Sequence, residues 1–246
     1  LGVRILYEHI KPKADPLGPE NILGFVTGPL TATPTPGSGR YMVVTESPLT
    51  GAWAEANSGG FWGPELKWAG YDGIFISGAS PKPVYLLISE GKAEIRDASH
   101  LWGKDANETD DMLHQELGEP KVKIACIGPA GEACSLISGI VNERGRIAAR
   151  SGVGAVMGSK RLKAVVVRGD KKKISVAEPE KFKSARADYS KKLKNSKFQQ
   201  GLTAAGTGGG LSFLVSIGDC PIKNWNLYGT EAMPTCTNLD AANQHG

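Results

Sequence analysis

The chain has 246 residues, enough for one large domain or two modest ones with a real core. Its composition, 40% hydrophobic and 22% charged, is that of a folded protein and excludes a disordered or fibrous one. A net charge of +4 from 29 basic and 25 acidic residues does not by itself argue for nucleic acid, which needs a clustered basic face.

A bound polyanion fits this mild excess, and so does a solvated surface of mixed charge. No run approaches the ~20 apolar residues of a membrane helix. The opening Leu1-Gly2-Val3-Arg4 has neither an initiator methionine nor a signal-peptide layout, and reads as a chain entered partway. The expectation is a cytoplasmic protein with neither nucleic acid nor membrane as partner.

In chain order, short β-branched runs predict strands at Ile22–Thr27, Tyr41–Thr45, Gly73–Ser77, Pro83–Ile88 and Ala93–Arg96. Further strands are expected at Val122–Ile127, Ser135–Val141 and Ala164–Arg168. Gly63–Trp68 is a short helix, and Thr109–Leu117 is an amphipathic one stopped by Gly118 and Pro120. After Lys173 the character changes: Ala177–Leu193 is charged and helix-prone, and Gly206–Gly210 leads into a second helix at Leu211–Ile217. Many strands with few helices favour α+β over a doubly wound α/β fold. The boundary falls near Ile174, giving domains 1–173 and 174–246, the second read as the incomplete start of a helical domain. Its apolar residues, Phe213 and Leu214 among them, would leave the chain sticky or a homodimer.

The strand-rich part reads as two similar halves. Gly28-Pro29, Gly39-Arg40, Ser58-Gly59-Gly60, Leu66-Lys67 and Ile74–Gly78 recur in order as Gly128-Pro129, Gly145-Arg146, Ser151–Gly154, Leu162-Lys163 and Val165–Gly169. The spacings differ, but the order predicts a pseudo-twofold pair, each half placing one arginine and one glycine-rich turn in an equivalent position. Glycine lets backbone N–H groups approach an anion, and arginine adds a planar fork of donors. Asn57–Gly60 and Arg146–Gly152 therefore read as phosphate- or pterin-binding turns, and equally as plain turns beside surface arginines. Asn57 offers a neutral oxygen of the kind Mg²⁺ accepts. A P-loop, a nucleophile elbow and HExxH are all missing from the sequence. Cys126, Cys134, Cys220 and Cys236 lack CxxC spacing, and His9, His100, His114 and His245 lack ligand spacing. With the acids dispersed, no catalytic residue is assigned, and any chemistry is expected of a cofactor.

These residues carry a resemblance. Asn21–Pro29, Gly39–Gly51, Ala56–Gly60, Gly63–Lys67, Ala69–Gly73, Ile95–Gly103, Lys123–Glu132 and above all Ser151–Lys160 resemble the N-terminal domain of the tungsten-containing aldehyde:ferredoxin oxidoreductase family. The likeness is close from Gly2 to Gly169 and looser through Pro221–Trp225. It implies paired β-sheets with internal pseudo-symmetry, forming a base for two molybdopterins that hold one tungsten. It further implies that Arg40 and Arg146 each face a pterin, with Gly59, Gly60, Ala149 and Arg150 close to the cofactor. Asn57 and the carbonyl of Ile147 would ligate a Mg²⁺ bridging the pterin phosphates. Where this chain has Ile147 and Ala149, the family commonly has a small residue and a glycine. The implied activity is oxidation of an aldehyde to a carboxylate, with electrons passing through a 4Fe–4S cluster to ferredoxin. The cluster ligands are expected downstream of Gly246, so the chain alone is expected to be inactive. An aromatic-ring reductase subunit and a non-catalytic pterin-binding module are the alternatives.

Overall fold

The structure, a computed structural model, describes residues 1–89, 91–170 and 174–243. His245 and the 171–173 stretch beside the expected boundary lie outside the described residues. Two compact units result, Leu1–Ser175 and Val176–Gly246.

The first unit begins with α1 (Gly2–His9), then β1 (Leu23–Thr27), β2 (Tyr41–Glu46), β3 (Trp53–Ser58), α2 (Trp62–Trp68) and β4 (Gly73–Ile76). Next come β5 (Val84–Ser89), β6 (Lys92–Asp97) and α3 (Ala106–Leu117). The unit closes with β7 (Lys123–Cys126), α4 (Pro129–Glu132), β8 (Ile140–Asn142), β9 (Arg146–Ala148), α5 (Val153–Ser159) and β10 (Leu162–Arg168). The fold is α+β. One sheet has the order β3-β2-β1-β4, all antiparallel. The other runs β6-β5-β10-β7-β8-β9, with β10 parallel to β5 and the remaining pairs antiparallel.

The internal repeat survives as topology. β1, β2, β3, α2 and β4 correspond to β7, β8, β9, α5 and β10, and both sets take the order third, second, first, fourth. The helices of the two halves lie between the sheets: α2 meets β10 and β7 as well as its own β1, and α5 meets β1, β2 and β3 as well as its own β10. One core fills this space, including Phe25, Tyr41, Trp62, Ile140, Val156, Met157 and Val165. Trp62 is its centre. Its ring lies 4.5 Å from Tyr41 and 5.3 Å from Phe25, and its Nε1 donates to the Val165 carbonyl at 3.0 Å.

Each sheet also has an outer face. Leu6 and Ile10 of the α1 segment cover Ile22, Val44 and Phe75, while Leu113 of α3 packs on Tyr85, Ile124, Cys126 and Val166. The middle strand β10 is thus covered on both faces, which explains its unbroken Ala164-Val165-Val166-Val167 run. Helix α3 starts three residues before the expected Thr109, because Asp105 caps it and Glu108 completes a capping box.

One expected strand is overturned. Ser135–Gly139 is a turn, closed by Ser138 N–H donating to the Ser135 carbonyl at 2.9 Å, and β8 begins only at Ile140. The apolar Leu136-Ile137 pair imitates a strand, yet Ile137 is 82% exposed.

The second unit contains α6 (Pro179–Lys194), α7 (Lys197–Ala205) and α8 (Leu211–Ser216). α6 buries none of its residues. Phe213 is exposed and Val215 is buried.

Candidate functional site

β3 and β9 are edge strands of their respective sheets, and they lie against each other. Each edge carries backbone groups that no neighbouring strand of its own sheet uses. In β3 the alternation is strict: Ala54, Ala56 and Ser58 are buried, and Trp53, Glu55 and Asn57 face out. The register makes the equivalences explicit. Tyr41 pairs with Ser58 and Met42 with Asn57, just as Ile140 pairs with Ala148 and Val141 with Ile147. Asn57 and Ile147 are therefore counterparts, as are Gly59 and Ala149 one step past the strands. Asn57, Ile147, Ala149 and Arg150 are all exposed.

The arginine landmarks do not follow this symmetry. Arg40 precedes the second strand of its half, whereas Arg146 opens the third strand of the other. By register the counterpart of Arg40 is Gly139. The expectation of one arginine in an equivalent place per half is thus corrected: the Gly-Arg dipeptides match in sequence and not in topology. Instead both arginines converge on the end of β3. Nη1 of Arg40 donates to Oδ1 of Asn57, and Nη1 of Arg146 lies 3.4 Å from where a Cβ on Gly59 would stand. The Arg146 and Arg150 side chains make no hydrogen bond or ion pair with another described residue. A depression of ≈ 640 Å³ opens beside this end, lined by Gly28, Arg40, Tyr41, Met42 and Asn57 among others.

Beneath the exposed groups is a buried polar joint that the sequence did not disclose. Asn142, 1% exposed, accepts at Oδ1 from Tyr41 Oη at 3.1 Å and Ser58 Oγ at 2.7 Å, and donates from Nδ2 to the Gly59 carbonyl at 3.0 Å. One side chain of the second half thereby satisfies three groups of the first. Burial pushes the Tyr41 phenol well above its ordinary range, so it stays a donor at any physiological pH. Glu143 accepts from Phe61 N–H at 2.7 Å. The available signal was Asn142-Glu143-Arg144-Gly145, a turn sequence between two short apolar runs.

Arg146–Gly152 is likewise not one turn. Its start is strand, and its end packs inward: Ser151 accepts at its carbonyl from Ser47 Oγ at 2.9 Å, and a Cβ on Gly152 would stand 2.7 Å from the Leu136 carbonyl. The face as a whole presents guanidinium forks, an amide oxygen and edge-strand backbone, a donor set for an anionic ligand accompanied by a hard cation. Among the described residues no three His, Cys, Asp or Glu side chains are grouped to hold a metal.

The family model for the aldehyde ferredoxin oxidoreductase N-terminal domain matches residues 1–169. The chain belongs to the aldehyde ferredoxin oxidoreductase family. It is 47% identical over 226 residues to the tungsten-containing aldehyde ferredoxin oxidoreductase of Pyrococcus furiosus, covering 92% of this chain and 37% of that protein. The corresponding enzyme of Thermococcus kodakarensis is 47% identical over 247 residues, covering 100% of this chain and 39% of that protein. Among solved structures, the active-site complex BamBC of benzoyl coenzyme A reductase, with 1,5-dienoyl-CoA, aligns with a TM-score of 0.75 and 47% identity, covering 78% of this chain and 29% of that one. The chain thus spans little more than a third of the length of these curated relatives. Within this family member, no described helix is long and apolar enough to cross a membrane.

Proposed function

We propose that the chain is the cofactor-cradling N-terminal part of a tungsten-bis-molybdopterin oxidoreductase that oxidises aldehydes to carboxylates and passes electrons to ferredoxin. The observation that carries this reading is the meeting of β3 and β9, which exposes Asn57, Arg146 and Ile147 at one place. The identity to tungsten-containing relatives agrees with it.

The fit to a bis-pterin rests on this face alone. It offers two guanidinium groups with no partner among the described residues, a third on an amide oxygen, and backbone at Gly59 open except toward Arg146. In this reading Arg40 and Arg146 bind the pterins, Arg150 adds charge, and the backbone of Gly59, Gly60 and Ala149 admits close approach. Asn57 Oδ1 and the Ile147 carbonyl would hold a Mg²⁺, and Asn57 would give up its bond to Arg40 to do so. When bound, the tungsten cofactor supplies the two-electron chemistry. The chain's own residues bind it, orient it and offset its negative charge.

Elemental analysis of the full-length protein tests this. Tungsten with iron in cluster amounts is expected, along with aldehyde turnover by the full-length protein and none by residues 1–246 alone. Neither tungsten nor molybdenum, with no iron, sinks the reading and favours a non-catalytic module. The likeness to the benzoyl coenzyme A reductase complex, equal in identity, supports a second reading as an aromatic-ring reductase subunit. A metal-replete protein that turns over no aldehyde and reduces an aromatic thioester selects it.

A further inference from the structure

The hairpin joining β8 to β9 is the least relaxed part of the site. Glu143 and Arg144 both have positive φ, 49° and 62°, a conformation that costs residues other than glycine. Such backbone persists only where its surroundings over-determine it. Here they do, from both sides. Arg144 pairs with Asp111, and its Nε lies 3.7 Å from Asp110 Oδ2, tying the tip to α3. Glu143 points the other way, across to the first half. Its Oε2 accepts both from Phe61 N–H at 2.7 Å and from Asn142 Nδ2 at 3.1 Å. The same carboxylate fills the space where Gly60, at φ +94°, would carry a Cβ. Gly60 is therefore required twice, for its backbone angle and for the oxygen that lies against it.

We propose that Glu143 is a positioning residue for the cofactor face. It locks the Gly59-Gly60-Phe61 turn against the start of β9 and so fixes Arg146 relative to Asn57. The inference rests on the reading that this face holds the tungsten cofactor. Glu143 itself touches no ligand in this role. Both of its bonds converge on one oxygen, so geometry and not charge is what it supplies, and a glutamine carbonyl can accept both.

The test uses the full-length holoprotein with E143A, E143Q and G60A, read by tungsten per protomer and by hydrogen exchange at the Phe61 amide. E143A should lose about tenfold in cofactor retention, the scale of lost outer-shell support at metal sites, with faster exchange at Phe61. E143Q should restore both. G60A, which drives the same pair apart from the other side, should resemble E143A. Unchanged metal and exchange in E143A overturn the proposal, and so does loss in E143Q equal to that in E143A, which would mean the charge is used. If E143A fails to fold, E143Q and G60A decide by the same two readouts. A parent protein without tungsten or molybdenum defeats the cofactor reading and this role with it. A metal-replete parent beside a metal-replete, slowly exchanging E143A defeats this role alone.

Discussion

Lys160 shows what a single residue settles in this fold. It is 2% exposed, and its Nζ donates to the Asn21 carbonyl at 2.5 Å and the Gly78 carbonyl at 3.2 Å, joining the end of α5 to both flanks of the first half. Burial lowers its pKa from 10.5 to about 8. A neutral amine still has two N–H groups for the two carbonyls, so losing the proton need not break either bond. The unfolded chain binds more protons than the folded one between these two values, so this group's contribution to stability rises with pH across that window and is flat below it. K160M leaves the buried Asn21 carbonyl without its partner, at about 1–3 kcal/mol. Urea unfolding should show the gap between wild type and K160M widening from pH 7 to pH 10. A gap that stays constant would mean the amine keeps its proton throughout.

Elements are where sequence and structure parted most. Runs with β-branched residues and clear turn signals were legible, and β1, β2, β4, β5, β6, β7 and β10 lie where the pattern puts them, within a residue or two. The two strands that meet at the candidate site were not, because β3 is Trp-Ala-Glu-Ala-Asn-Ser, poor in strand-forming types, and β9 has only three residues. In β3 the alternation carried the signal that propensity did not. Arg40, Asn57, Arg146 and Ile147 were singled out through family likeness and glycine chemistry, and the structure brings them to the edge where β3 meets β9. Asn142 and Glu143 were not, since their partners lie some 80 to 100 positions earlier in the chain.

Ser151–Lys160, on which the sequence resemblance leans most, proves to be mainly packing. It contains α5, whose Val153 to Gly158 are all buried. A Cβ on Gly158 would collide with the Gly131 carbonyl of α4. G158A should therefore destabilise the first unit by about 3 kcal/mol, the upper end for overpacking, as a lowered unfolding midpoint. A midpoint within experimental scatter of wild type would show that α4 can move aside.

On the scale of the molecule, the hydrophobic clusters found among the described residues draw on residues between Leu6 and Val167. Residues 1–175 made alone should therefore unfold in one cooperative transition by circular dichroism and tryptophan fluorescence. A broad, non-cooperative melt would show that the unit needs later residues. The repeat was legible in outline, and its strand order was not, because order is a property of pairing that composition leaves unstated. Nor could residue patterns say that α2 and α5 sit between the two sheets, each touching the other half.

That interleaving, with β10 last in sequence yet central in its sheet, bears on how the protein is made. A chain emerging from a ribosome presents β5 and β7 long before the strand that joins them. Until residue 168 has cleared the exit tunnel, the six-stranded sheet is two separate pieces with bare inner edges, and α2 lacks the wall that Trp62 bonds to. At about 5–20 residues per second, the interval from Ser89 to Arg168 is one of seconds, during which those edges are open to other chains. Synthesis, more than the finished fold, is the stage at which these edges lie bare.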